Sequence, residues 1–227
     1  MYYESYNHSK YLGLSVNRNH EFNESYLCSA HRVLSNALNE HPRTFMFHVV
    51  LRYPTMQFYG LEGSITRFIN SFREKIKADC ERKSRLKKNV HRTSIRYVWC
   101  REHSESMKEH FHVFFLLNND TYFRLGSYSS PKEGHLTWMV NTAWASAIYL
   151  PSENMAGLVE FAGCKMINVR RIPSSHVKER DGVVRDSFES AFHWMSYLCK
   201  IETKSYGDNV RNFGCSRDQA KFALNVT

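Results

Sequence analysis

Along Thr44–Tyr53 (TFMFHVVLRY) apolar side chains occupy both alternating positions, and Pro54 closes the run. A strand covered on one face alone is apolar at every second position, so this pattern predicts an interior strand covered on both faces. Ahead of it, Asn23–Asn39 places Tyr26, Leu27, Ala30, Val33, Leu34 and Ala37 at helical spacing, and Pro42 ends the pattern. From Ser64 onward, Ile65, Phe68, Ile69, Phe72 and Ile76 mark one face of a long helix whose opposite face is basic. Thr93–Cys100 (TSIRYVWC) reads as a strand and His110–Leu117 (HFHVFFLL) as its antiparallel neighbour, with Asn118, Asn119 and Asp120 supplying the turn that follows. Trp138–Leu150 reads as a buried helix ended by Pro151, and Lys165–Ile172 as a strand ended by Pro173. A last helix starts near Ser187, with Asp186 as its N-cap and Glu189 at the third helical position.

This order of elements predicts an α+β fold, a largely antiparallel central sheet flanked by helices. No internal repeat or long linker divides the chain. The expected organisation is an N-terminal helical extension over residues 1–42, a main domain over 43–205, and a C-terminal tail over 206–227 packed on or following that domain.

Composition sharpens the picture in one direction. The 227 residues carry 31 Lys and Arg against 22 Asp and Glu, a net charge of +9, which favours a polyanionic partner. The positive charge concentrates in Phe72–Arg92 (FREKIKADCERKSRLKKNVHR), where Lys87 and Lys88 are candidates for phosphate contacts. Aromatic residues make up 14% of the chain, enough to offer stacking surfaces beyond the core. No opening apolar run suggests a signal peptide, and no stretch approaches the ~18 apolar residues that span a bilayer. A soluble, cytoplasmic protein is expected, with no membrane partner. The six cysteines are scattered without a C-x-x-C pair and read as reduced thiols.

Two segments carry candidate chemistry. In HFHVFFLL, period-two alternation puts His110, His112, Phe114 and Leu116 on one face, so two imidazoles project side by side from a strand. Paired neutral imidazoles need one or two oxygen ligands to complete a divalent-metal site. The preceding strand runs into Glu102, which would emerge near His110; His103, Glu105 and Glu109 are alternative ligands. In Phe188–Lys204 (FESAFHWMSYLCKIETK), helical spacing gathers Phe188, Ala191, Phe192, Met195 and Cys199 on one side and His193, Tyr197, Lys200 and Lys204 on the other. A tyrosine is a poor nucleophile at its ordinary pKa of about 10 and needs a cation, a metal or a base beside it.

Taken together, the aromatic strand, the H-hydrophobe-H strand with Glu102 just upstream, and the late Tyr-x-x-Lys resemble the HUH endonucleases that initiate rolling-circle replication. SYLCKIETK followed by RNFGCSR is similar to the inovirus-type replication initiator family of filamentous phages and prophages. The resemblance spans roughly Phe45 to Arg217; the first forty or so residues add nothing to it. It implies an HUH-type nuclease domain whose metal, Mn²⁺ or Mg²⁺, is held by His110, His112 and Glu102. Tyr197 would then be the nucleophile and Lys200 an active-site cation; Lys204 and His193, on the same side of the helix as Tyr197, are candidate DNA contacts. The implied activity is nicking and joining of single-stranded or melted origin DNA through a 5′-phosphotyrosine link, in a bacterial host cell. Tyr206 lies off the spacing of paired-tyrosine initiators, so a single-tyrosine enzyme is expected. No G-x-x-x-x-G-K-[ST] motif is present, so host helicase and polymerase are expected partners. The alternatives are a catalytically inactive nucleic-acid-binding regulator on the same scaffold, and a structural zinc site in an interaction protein.

Overall fold

The computed structural model describes residues 5–17, 19–55, 61–86, 90–103, 108–168, 179–180, 183–186 and 188–217. The chain opens with four two-residue strands, β1 (Ser5–Tyr6), β2 (Lys10–Tyr11), β3 (Leu14–Ser15) and β4 (Phe22–Asn23), paired as β1 with β4 and β2 with β3. Helix α1 (Glu24–Glu40) follows, and its first turn is closed by the Asn23 side chain, which accepts the Tyr26 amide at 3.2 Å. Next come β5 (Arg43–Arg52), α2 (Ser64–Arg85), β6 (Arg96–His103), β7 (Glu109–Asn118) and α3 (Leu136–Ala147). The chain continues through β8 (Val159–Asn168), β9 (Glu179–Arg180), β10 (Val183–Asp186), α4 (Phe188–Ser196), a 3₁₀ turn at Tyr197–Cys199 and β11 (Phe213–Cys215).

A seven-stranded sheet in the order β11-β6-β7-β5-β8-β10-β9 forms the centre, and β5 is its middle strand. From β11 to β8 the pairings are antiparallel, while β10 joins β8 in parallel. The fold is α+β in three layers. Alternate residues of β5 and β7 go to opposite cores: Phe45, Phe47, Phe111 and Phe115 pack under α2 and α3, whereas Met46, Phe114 and Leu116 pack under α1 and α4. Coverage on both faces is why every residue from Thr44 to Val50 is buried and why the strand lacks a polar face. Burying each such phenylalanine contributes about 1.5–3 kcal/mol.

Several expected boundaries move. β6 begins at Arg96, three residues after the expected Thr93, because the Thr93 hydroxyl instead accepts the Asn118 amide at 2.9 Å. β8 begins at Val159, well before Lys165. Its pairing with β5 absorbs an irregularity where His48 faces Gly163 and Val49 faces Phe161, which leaves Ala162 without a partner as a bulge inside the strand. Residues 169–172 of the expected strand, the Ser187 helix start, and Lys87 and Lys88 of the basic segment all lie outside the described residues. No described helix is long and apolar enough to cross a membrane, and all six cysteines are free thiols.

Candidate metal centre

Antiparallel pairing of β6 and β7 sets Glu102 opposite His110 and Cys100 opposite His112. Alternation then puts Glu102, His110 and His112 on the α1/α4 face, where their ligand atoms all lie within 4.8 Å of one another. The same alternation sends His103 and Glu109 to the opposite face. There Glu109 binds buried Arg101 at 3.3 Å and lies 3.8 Å from His103, so neither reaches the triad. Glu105 lies outside the described residues.

Each imidazole is oriented through its Nδ1. His110 Nδ1 donates to the Lys108 carbonyl at 3.0 Å, which leaves Nε2 as its free lone pair. His112 Nδ1 stands 3.0 Å from His48 Nε2, and the tautomer that donates across this contact likewise frees His112 Nε2. His48 comes from β5, stacks on Phe114 at 4.4 Å, and is walled in by the edge of Trp194. The Trp194 ring lies where a side chain at Gly163 would point, 3.3 Å from an added Cβ, and Gly163 itself has φ of 137°. No motif in the sequence singles out His48. Its one signal is an ionisable residue inside a run that is otherwise apolar on both faces.

The electrostatics favour the metal-binding protonation states. Burial, together with neighbouring His112, pushes His48 down to about 3. Burial likewise pushes His112 down to about 4, although Glu102 opposes it. Both rings are neutral at pH 7. Burial disfavours the Glu102 carboxylate, yet Lys204, His112 and Lys200 together hold its pKa at about 2. With the His112 proton on Nδ1, Nε2 and Glu102 Oε2 face each other as two acceptors 3.5 Å apart. Two lone pairs converging on one point, with His110 beside them, form a donor set suited to a divalent cation.

The cations that balance Glu102 reach it differently from the sequence reading. The helix carrying Tyr197 does not continue to Lys204. It ends at Ser196, and Tyr197–Cys199 form a 3₁₀ turn with three residues per turn, which brings Lys200 beneath Tyr197. Lys200 Nζ lies 3.7 Å from the centre of the Tyr197 ring and 3.4 Å from Glu102 Oε2. Lys204, expected as a DNA contact, is instead buried: its side chain is 0% exposed and donates to Glu102 Oε1 at 2.7 Å, so it braces the carboxylate and does not lie on an open helix face. His193 is exposed on α4, and among the described residues it makes no hydrogen bond, ion pair or ring contact with the triad.

Tyr197 is 37% exposed and meets His112 edge-on, with ring centres 6.4 Å apart. Its other neighbour comes from the chain's beginning: the His20 ring packs edge-on at 5.4 Å. Glu21 and Phe22 fasten that segment, the first by its carbonyl to the Ile201 amide at 2.9 Å, the second by a strand bridge to Lys200. The arrangement therefore combines a candidate Lewis-acid site, a solvent-accessible phenol and a buried ammonium.

No solved structure matches the chain. Among curated proteins, "Uncharacterized protein YagK" of Escherichia coli (strain K12) is 32% identical over 202 residues, covering 85% of this chain and 92% of that protein. "Uncharacterized protein YfjJ" of the same organism is 30% identical over 203 residues, covering 82% and 90%. The model of the YagK/YfjJ C-terminal domain matches residues 6–216, a span that takes in β1 to β4 and α1 as well as the triad and Tyr197; the chain belongs to this family.

Proposed function

We propose that the protein is a metal-dependent, single-tyrosine DNA nicking and joining enzyme that acts on single-stranded or locally melted DNA. The observation that carries this reading is the meeting of Tyr197 with His112 at 6.4 Å and with Lys200 at 3.7 Å, beside a two-histidine, one-carboxylate donor set. The resemblance of the same residues to HUH initiators supports it. His110, His112 and Glu102 would hold the ion, and two imidazoles in the set favour Mn²⁺ over the oxygen-seeking Mg²⁺. A divalent ion there supplies Lewis acidity toward a phosphoryl oxygen.

The chain's own groups do the rest. Tyr197 Oη forms the new bond to phosphorus as the bond from phosphorus to the 3′ oxygen breaks, and the 3′ oxygen leaves with a proton. The phenolic proton passes to solvent, to which this side chain is open. Lys200 stabilises negative charge developing on the phenol and phosphate oxygens. Attack by a 3′-hydroxyl on the phosphotyrosine reverses the step and joins strands.

Labelled single-stranded oligonucleotides incubated with the protein and Mn²⁺ should yield a denaturation-resistant adduct that maps to Tyr197. Tyr197→Phe should abolish the adduct while changing stability by no more than about 0.5 kcal/mol. An adduct on another tyrosine, or cleavage without any adduct, would reject the assignment. One observation favours a second reading, a non-catalytic nucleic-acid-binding regulator: Lys204 and Lys200 already compensate Glu102, which makes the cluster electrostatically complete without an ion. Absence of Mn²⁺ binding by calorimetry would select that reading.

A further inference from the structure

Strand β6 presents a second set of functional groups on the face away from the triad. There Tyr97 and Trp99 floor a cavity of about 470 Å³ between α2 and the edge strand β11. Its charged lining is entirely cationic, with Arg73, Arg96, Arg211 and Arg217 and no carboxylate. Arg96 is neutralised by Glu40 at 3.1 Å. Elsewhere arginines meet acids directly, as in Arg43–Asp120 at 2.7 Å; among the described residues Arg73, Arg211 and Arg217 have no such partner. All three are exposed.

Two of them are held in place by aromatic rings. The Arg73 guanidinium lies 5.3 Å from the Tyr97 ring centre, and that of Arg211 lies 5.7 Å from Trp99. A guanidinium resting on a ring has its flat face covered while its N–H edge still points outward, the arrangement that suits phosphate oxygens. Three guanidinium cations around one concavity repel one another until an anion enters. Because they come from separate segments along the wall, an anion with several phosphates fits better than one with a single phosphate.

We propose that this groove binds the sugar-phosphate backbone of a DNA strand, as a second contact site behind the sheet. The proposal deepens the nicking reading and rests on it for the identity of the strand. Trp99 and Glu102 are three residues apart on β6, about 10 Å along the strand. β11 is the sheet's edge, so DNA engaged at the triad reaches the groove by rounding that edge.

The test is fluorescence anisotropy with a labelled single-stranded oligonucleotide in EDTA, across a salt series. The double variant Arg73→Gln, Arg217→Gln should lose on the order of tenfold in affinity at moderate salt. Its log-log salt slope should be shallower by about 1.4, or ~0.7 for each lost phosphate contact. Replacing both by Lys should restore most of the slope. Arg211 stays in place because it covers Trp99, and unchanged thermal melting of the variants shows that the fold is intact. Wild-type affinity and slope in the Gln variant would overturn the groove, as would displacement of the oligonucleotide by inorganic phosphate at equal phosphate concentration. The adduct assay keeps the two readings apart: arginine-dependent binding without a Tyr197 adduct in the wild type removes the nicking reading and leaves the groove supported.

Discussion

Glu102 is 3% exposed, with Lys204 on one oxygen and Lys200 and His112 on the other, and the charge balance of that cluster sets what each substitution costs. Lys204→Met removes one of two cations from a buried carboxylate and should cost about 3–5 kcal/mol in urea unfolding, the range for breaking a buried ion pair from one side. The histidines give the cluster a defined pH response. His48 and His112 titrate near 3 and near 4 in the folded protein, below the ordinary histidine value of 6.5. Between those values the unfolded chain binds protons that the folded chain refuses, so stability falls as the pH drops from about 6.5 toward 4. Glu102, held near 2 from an ordinary 4.5, adds stability above 4.5 that is lost as the pH falls toward 2. Denaturant midpoints across this range should slope downward toward acid, and His48→Phe should flatten the upper part of the slope. The same variant deprives His112 of the partner that aims it. Mn²⁺ affinity should fall by about 10–100-fold although all three ligands remain, a loss that calorimetry measures directly.

At the scale of elements, the edge strand β11 depends on a missing side chain. A Cβ on Gly214 would lie 2.6 Å from the Trp99 indole, so Gly214→Ala must push apart two packed strands and should cost about 1–3 kcal/mol by thermal melting. The elements that a periodic pattern can announce were readable. β5 with its apolar run, the buried stripe of α1 and the H-x-H face of β7 all lie where spacing puts them, because burial on a defined face leaves a periodic trace. The pairing of Glu102 with His110 was legible for the same reason, since two consecutive strands align by alternation. What lay beyond reach depended on partners distant in sequence. The 3₁₀ turn at Tyr197 keeps a helical composition, and only the bridge between Lys200 and Phe22 shows why the chain departs from the helix there. His48 joins the candidate metal site solely through its contact with His112, a diagonal neighbour on the next strand.

For the molecule as a whole, the described residues ahead of β5 form part of a layer, although the sequence presents residues 1–42 as an extension. Leu27, Ala30 and Leu34 of α1 are fully buried in the core beneath α4, and His20 walls Tyr197. A chain lacking residues 1–42 would expose one face of the central sheet and should lose its cooperative unfolding transition; Leu34→Ala alone should cost about 2–5 kcal/mol. The family match beginning at residue 6 accords with an N-terminal layer that belongs to the domain.

The bonds between Glu102 and its two lysines also bear on the order in which the protein matures. The β6–β7 hairpin leaves the ribosome long before Lys200 and Lys204, so the carboxylate waits for its counter-charges across about a hundred residues of chain. Contacts of that separation form late and slowly. This later-made segment thus completes the hairpin's electrostatics and delivers Tyr197 in the same event. A nascent chain stalled before Lys200 therefore holds an uncompensated acid where the finished protein has its candidate reaction centre, and under the proposed function it could not attack DNA until both Tyr197 and Lys200 have been made.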